Sequence, residues 1–404
     1  MKVLHVIPSI SGRSGGPAQA IIPMCAALIG KGVEVLLATT DDDLPQLNGA
    51  GKLERGVITE YKNLPVILFP KQLGASFKYS RPFALWLEEH VTDYDVVHIH
   101  AVFNHSCIAA ARACREKRVP YIVRPLGTLD PWSLKQKSLR KKLFWHGGIR
   151  TMLRRAAAIH YTTTGEQQAV ESSLGLNHGV VVPLGVDLSK LESAGSDRQA
   201  KPSEFFPGLR TRPYVLVLSR LHPKKALEVL LAAFLSLVKE PEFRKWHLVL
   251  AGDGPSDYVD LLKRMVAKSN ATEFVVFPGW LDGVQKESAL KNASLLALPS
   301  HHENFGLCVM ESLACGVPVL ISPQVNLAPE IQAAQAGWIA DIDKDSLVAA
   351  LREALTCDEE RRRRGETGRR LAMSFAWPIV AAKLADVYAA IAPSVGAPVS
   401  LTQI

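Results

Sequence analysis

Nowhere in the 404 residues does an apolar run reach the roughly 18 positions that a membrane-spanning helix needs. Cysteine is scarce. The six (Cys25, Cys107, Cys114, Cys308, Cys315, Cys357) include no C-x-x-C pair, which argues against a disulfide framework or a zinc ribbon. Most lie in apolar helical patterns and are expected to be buried free thiols. No G-x-G-x-x-G with a downstream acid occurs, which counts against a dinucleotide redox enzyme. Low-complexity tracts and short repeats are missing as well. Acids are almost absent from Arg112 to Arg155, where thirteen Lys and Arg face only Glu116 and Asp130. That local surplus exceeds the whole-chain charge of +8, so the rest is slightly acidic. One basic face is implied, not a general polyanion binder, and no nucleic-acid module accompanies it.

What is present is an ordinary globular composition, 48% hydrophobic and 21% charged, long enough for two domains. The opening MKVLHVIPSISG reads as a first strand rather than a signal peptide, and a cytoplasmic location is expected. Strand-like runs alternate with helical patterns: KVLHVIP, VEVLLATT, DVVHIH, PYIVRPL, AAAIHYTT and GVVVPLG, then YVLVLSR, HLVLAGDG, FVVFPGW, SLLALPS and VPVLIS. This rhythm predicts parallel sheets with crossover helices, covered on both faces. It breaks over residues 191–212, which are polar, contain two prolines and read as a linker. Residues 1–190 and 213–375 are therefore expected to be two Rossmann-like domains. The amphipathic WPIVAAKLADVYAAIA follows the very polar DEERRRRGETGRR.

In open parallel sheets ligands bind at the carboxyl ends of strands, where helix N-termini offer unpaired amides. Three stretches match: SISGRSGGP with Gly12, Gly15 and Gly16, AGDGP with Gly252, and HHENFG after SLLALPS. In the last, Glu303 would lie above a helix start and Glu311 within the helix. A carboxylate accepts two hydroxyls and so suits a sugar or ribose diol. Backbone amides from Asn304 through Phe305 and Gly306 to Leu307 suit a diphosphate or sugar oxygens. Each acid also has a plain structural use, Glu303 as a helix N-terminal carboxylate and Glu311 as partner of a surface lysine. Asp41 to Asp43 follow a strand and read as its polar end, not as a metal motif.

HENFGLCVMESLACGVPVL resembles the E-x7-E signature of family 4 retaining glycosyltransferases, and SRLHPKKALEVLLAAF resembles their phosphate-binding strand-helix. In that strand-helix an Arg and a Lys clamp the donor diphosphate; Arg220 and Lys225 match them. GWLDG resembles the loop beside the nucleotide base, with Trp280 and Leu281 at its wall. The resemblance implies the GT-B fold, two Rossmann-like domains facing across a cleft. It also implies that the last helix, 376–404, joins the N-terminal domain. The glycine that commonly follows the lysine is Ala226, a change compatible with a helix. A histidine common after PYIVRPLGTLD is replaced, with Leu126 or Arg124 nearest its place. His100, His98 and His105 are the candidates left, His100 first among them.

The implied activity is retaining, metal-independent transfer of a hexosyl unit from a UDP- or GDP-sugar to an acceptor hydroxyl, in polysaccharide or glycolipid assembly. No cofactor is expected. Glu303 would meet donor hydroxyls, Glu311 the ribose, and Arg220 with Lys225 the diphosphate. The acceptor would be a saccharide or a lipid-linked glycan. Residues 133–155 interleave cations with Leu, Phe, Trp and Met, and could rest on an anionic membrane at the inner face of the plasma membrane. Alternatives of the same fold are a nucleotide-sugar 2-epimerase, a phosphorylase, or a non-catalytic sugar-nucleotide-binding protein.

Overall fold

The computed structural model describes residues 1–11, 15–42, 54–74, 76–135, 145–188, 206, 209 and 212–392. The chain divides into two compact units, Met1–Gly185 with Trp377–Ile404, and Val186–Ala376. The stretch read as a linker lies almost wholly outside the described residues, as does the middle of the basic segment, 136–144.

In unit 1 the described strands are β1 (Lys2–Val6), β2 (Glu34–Thr40), β3 (Ile58–Tyr61), β4 (Leu64–Phe69), β5 (Val96–His100), β6 (Tyr121–Arg124), β7 (Ala158–Tyr161) and β8 (Gly179–Val181). They form one sheet in the order β3-β4-β2-β1-β5-β6-β7-β8. The described helices are α1 (Gly16–Ile29), α2 (Arg81–His90), α3 (His105–Lys117), α4 (Pro131–Lys135), α5 (Arg150–Arg154) and α6 (Thr164–Leu174). Every residue of β5, β6 and β7 is buried, as a parallel sheet covered on both faces requires. One pairing departs from the expected pattern: β3 runs antiparallel to β4 at the sheet edge. The link is two residues, Lys62 and Asn63, both at positive φ (51° and 61°), so the turn matches the right-handed strand twist.

Unit 2 carries β9 (Tyr214–Leu218), β10 (His247–Ala251), β11 (Val275–Gly279), β12 (Leu295–Leu298), β13 (Val319–Ile321) and β14 (Gly337–Ile339), all parallel, in the order β11-β10-β9-β12-β13-β14. Its helices are α7 (Leu227–Leu237), α8 (Ser256–Lys268), α9 (Gly283–Lys291), α10 (Leu307–Ala314), α11 (Ala328–Ala333), α12 (Lys344–Thr356) and α13 (Asp358–Met373). The amphipathic helix α14 (Trp377–Ile391) then packs on α1 and buries Tyr388 in unit 1.

The polar helix α13 is not a solvated rod. Arg361 stacks on Trp246 at 4.8 Å and Arg364 on Trp338 at 4.3 Å, so the charged side chains cover indole rings. On the same buried face Gly365 and Gly368 bring the backbone flush against the end of α10. A Cβ on Gly365 would run into the Gly316 carbonyl, and one on Gly368 would meet Leu313. Close backbone approach is what glycine permits. The six thiols are all unpaired; Cys25, Cys107 and Cys114 are buried as expected, whereas Cys308 and Cys315 are partly exposed and Cys357 is on the surface. Cys357 falls in the break between α12 and α13, where no helix packs over it.

Gly365→Ala decides whether this packing holds. In an exposed helix the change stabilises by about 1 kcal/mol. Here urea unfolding is expected to show a loss of about 2 kcal/mol or more, because backbone must move. A gain would place α13 away from α10.

Candidate active site

The site in unit 2 is assembled from turns at the carboxyl ends of its strands. After β9 the chain makes a short 3₁₀ turn, Pro223–Lys225, capped by the His222 ring, which accepts from the Lys224 amide at 3.1 Å. The Lys224 carbonyl accepts from the His301 amide at 2.9 Å, tying this turn to the loop that follows β12. That loop is fixed from its other side: the Glu303 amide donates to Gln324 O at 3.2 Å, and Glu303 O accepts from the Asn326 amide at 3.0 Å. Gly306, at φ 72°, then turns the chain into α10. Backbone bonds thus hold the loop independently of its charges.

On this frame the Lys225 ammonium is ion-paired with the Glu303 carboxylate. Both side chains are largely buried, 12% and 20% exposed. Burial alone would raise the Glu303 carboxyl, but the Lys225 charge and hydrogen bond, with Lys224 and His302, hold it below the usual carboxylate range. Glu311, one turn into α10, pairs with Lys286 Nζ of α9 at 2.6 Å. The plain alternative for Glu311 is therefore realised in part, although its lysine is not a surface one. Cys308 lies among these groups. Burial pushes its thiol up to about 12, and the charges of Lys225, Glu303, Glu311 and Lys286 all act on it. The charges of both pairs are thus felt at the Cys308 thiol.

Arg220 is exposed and lies in the loop between β9 and that turn. Its charge, with those of Lys224 and Lys225, adds to partial burial in lowering the His222 imidazole. Leu281 is buried and Trp280 is 39% exposed, just before α9. Phe305 is buried against Phe375 at 6.0 Å, so only its backbone can face a ligand; Asn304 and Leu307 are partly buried. Gly252 (φ 140°) has a different reason for being glycine than ligand contact. A Cβ there would strike the Ser219 carbonyl, and the Gly252 amide donates to Gly279 O at 2.8 Å. Ala226 is a correction. It does not continue a helix but sits at φ 49°, ψ 38°, between the 3₁₀ turn and α7, where a glycine costs least.

In unit 1, Gly15 (φ 88°) precedes α1 and Gly16 begins it, with open space around Gly15. Asp41 pairs with Arg55 at 2.6 Å, and the buried Asp42 with Lys71 and Lys78, so these carboxylates end β2 as expected; Gly12 and Asp43 lie outside the described residues.

His100 needs the larger correction. It is 0% exposed at the end of β5. With His5, His98, His160, Arg124 and Tyr388 it forms one hydrogen-bonded chain. Arg124 NH1 can only donate, and its partner is His100 Nδ1 at 3.5 Å. His100 Nε2 therefore donates to His5 Nδ1 at 3.0 Å, and His5 Nε2 to the Tyr388 oxygen at 3.5 Å. At the far end Val182 O can only accept, from His160 Nε2 at 2.7 Å. His160 Nδ1 then accepts from His98 Nε2 at 3.2 Å, and His98 Nδ1 from the Tyr388 hydroxyl at 2.7 Å. Both ends lead to the same assignment, four neutral Nε2–H imidazoles. His5, His98 and His100 have nitrogens close enough to share a cation, within 4.8 Å, but the chain uses their lone pairs. Of the three candidate histidines, His105 alone keeps partial exposure, beside Tyr79 at 4.3 Å. Sequence reading missed Lys286, His5, His160 and Tyr388. Only the alternation of histidine with apolar residues in HVIP, DVVHIH and AIHY hinted at a shared face.

Burial, aided by Arg124, lowers His5 to about 3, and burial lowers His160 equally far; His98 and His100 also fall well below the usual histidine range. The unfolded chain thus binds protons that the folded one does not, and stability is lost as pH falls below about 6.5. Each histidine contributes about 1.4 kcal/mol per pH unit, so urea unfolding of unit 1 is expected to weaken by on the order of 5 kcal/mol from about pH 7.5 to about pH 5.5. A change below about 1 kcal/mol would contradict four neutral buried rings. Ala226→Gly is expected to be neutral or to stabilise by up to about 1 kcal/mol, whereas a helical Ala226 would make it cost about that much.

Two family models match in succession, a Glycosyl transferase 4-like domain over residues 15–185 and Glycosyl transferases group 1 over residues 201–371. A GDP-mannose-dependent alpha-(1-6)-phosphatidylinositol monomannoside mannosyltransferase of Mycolicibacterium smegmatis is 27% identical over 65% of this chain and 73% of its own length. A D-inositol 3-phosphate glycosyltransferase of Corynebacterium glutamicum is 29% identical over 52% of this chain and 50% of its own. The chain thus spans about half to three quarters of the length of these relatives. Among solved structures, the Anabaena protein Alr3699/HepE in complex with UDP and glucose superposes with TM-score 0.73 at 17% identity, over 96% of this chain and 99% of that one. Sucrose-phosphate synthase from Thermosynechococcus elongatus gives 0.73 at 18%, over 96% and 98%. At such identity these two speak for the fold alone, and they share the two-domain parallel α/β arrangement described above. A Glycosyl transferase 4-like domain thus lies within unit 1 and a Glycosyl transferases group 1 domain within unit 2, and the two-domain parallel α/β fold is that of these solved structures.

Proposed function

We propose that this glycosyltransferase moves a hexosyl unit from a UDP- or GDP-sugar to an acceptor hydroxyl on a saccharide or lipid-linked glycan, with retention of anomeric configuration. The observation that carries this reading is the pair of lysine–carboxylate contacts, Lys225 with Glu303 in the loops after β9 and β12, and Lys286 with Glu311 on the adjoining helices α9 and α10. Unit 2 holds the donor and unit 1 the acceptor. The relatives named for GDP-mannose and inositol phosphate, and the neighbour solved with UDP, support a nucleotide-sugar donor and an acceptor in polysaccharide or glycolipid assembly.

A diphosphate is a stronger partner for Lys225 than one carboxylate. On donor binding Lys225 turns to the phosphates together with Arg220, and Glu303 is released to accept sugar hydroxyls. Lys286 orients Glu311 toward the ribose diol, and Trp280 with Leu281 walls the base. Amides of Asn304, Phe305, Gly306 and Leu307 at the start of α10 face the sugar and phosphate oxygens. As the anomeric C–O bond to the diphosphate breaks, Arg220 and Lys225 neutralise the leaving group, the role that a divalent ion takes elsewhere. The acceptor oxygen bonds to the same face of the sugar, and its proton passes to a leaving phosphate oxygen. His105 lines the acceptor side, and backbone at Gly15 and Gly16 meets phosphate and sugar oxygens. No helix of the described residues is long and apolar enough to cross a membrane, so a lipid-linked acceptor would be met at a membrane surface.

Arg220→Ala is the cleaner test, because removing Lys225 also strands the largely buried Glu303 charge. Turnover at saturating donor is expected to fall about 100-fold with the fold intact. A value within about threefold of wild type would remove Arg220 from the diphosphate site. Donor cleavage without acceptor would favour an epimerase, and tight donor binding with no turnover on any acceptor would favour a sensor.

A further inference from the structure

Among the described residues of unit 1, three unpaired arginines gather at the end of the sheet away from the carboxyl-end loops. At the amino ends of β6 and β7 an open cleft of about 600 Å³ is lined by Arg115, Arg118 and Arg155, with Thr151 on its wall. Its apolar floor is built from Cys114, Val119, Pro120, Tyr121, Ala157 and Ile391. Arg115 lies in the last turn of α3, Arg118 directly after that helix in a left-handed conformation (φ 60°), and Arg155 directly after α5. All three are exposed, and among the described residues none of them forms an ion pair. No acid lines the cleft, and the adjacent Glu116 is committed to Arg112 at 2.8 Å.

Helix C-termini attract cations, so one arginine at each end would need no further reason. Two such termini carry about half a negative charge each. Three guanidinium groups exceed this by about two charges, and their mutual repulsion is unrelieved until an anion arrives. Guanidinium forks match phosphate oxygens bidentately, and the Thr151 hydroxyl adds a further donor. The floor offers the partly exposed Val119, Pro120, Ala157 and Ile391 to an uncharged remainder. Ligands of open parallel sheets that take part in chemistry sit at the carboxyl ends of strands. A site at the amino ends therefore serves binding, not transfer.

We propose that this cleft binds a phosphate ester that carries an apolar group, either the headgroup of an anionic lipid or a soluble phosphorylated compound. It does not depend on the donor-site reading. The test uses the full chain carrying Arg220→Ala, which weakens the donor side while leaving the Lys225–Glu303 pair intact, so any binding left there is common to the parent and the cleft variants. Phenyl phosphate is titrated by calorimetry, and co-sedimentation is measured with vesicles of phosphatidylcholine and phosphatidylglycerol in equal parts against phosphatidylcholine alone. Adding Arg115→Ala and Arg155→Ala is expected to weaken phenyl phosphate binding about tenfold or more. Vesicle binding lost in the same variant identifies a lipid headgroup; phenyl phosphate binding without vesicle binding identifies a soluble ligand. Should the alanine variant unfold, Arg115→Lys with Arg155→Lys keeps the charge but removes the fork, and weaker phenyl phosphate binding is still expected. Failure of the parent chain to bind either probe, or equal binding by parent and variants, overturns the proposal.

Discussion

A lysine and a glutamate 78 positions apart in the chain meet at the carboxyl ends of β9 and β12, and the rest of unit 2 is arranged around that contact. The Lys225–Glu303 pair is largely shielded from water, so neither partner can be removed without leaving a charge in a poorly solvated place. Such a pair contributes little net stability. What it supplies is two ionised groups held at a fixed place before any substrate arrives. Lys286 and Glu311 repeat the device one turn into α10. The cost of gathering these charges is met by the covalent and hydrogen-bonded frame: the Lys224–His301 and Glu303–Asn326 backbone bonds hold the loops whether or not the ions are paired.

That frame relies on backbone coming close to backbone. Gly252 lies against the Ser219 carbonyl, and Gly365 against that of Gly316. The first sets the loops after β9 and β10 side by side. The second presses α13 on the end of α10, the helix that carries Glu311. Side chains at either place would push apart elements whose spacing places the charges. Arg361 and Arg364 complete this packing through their stacking on Trp246 and Trp338, which explains how a helix so rich in charge joins a core.

Unit 1 solves the opposite problem. Its four buried histidines are kept neutral and are joined in one directional chain that runs from the Arg124 guanidinium to the Val182 carbonyl. Tyr388, from the last helix, is the link at which the two halves of this chain meet. The C-terminal helix is thereby part of the polar interior of unit 1 as well as of its apolar packing. A low-dielectric interior makes each of these bonds strong and each missing partner costly, which ties the helix to the sheet.

The return of the last helix, and Arg220 with Lys225 as candidates, came from the family resemblance; the sequence by itself determined the strand–helix alternation, the parallel sheets and the placing of Glu303 and Glu311 about a helix start. Those features are local or periodic, and period and turn chemistry are readable along one dimension. The antiparallel edge at Lys62 and Asn63 escaped notice because a turn without glycine gives a weak signal. Only tertiary structure decided that Ala226 takes a left-handed conformation, since its φ is imposed by the bonds that bind the 3₁₀ turn to the loop after β12. It alone assigned Lys286 to Glu311 and withdrew His100 from the reactive positions. Whether a histidine is an exposed base or a neutral bond in a core depends on which atoms of distant strands surround it, and spacing along one strand carries no record of them.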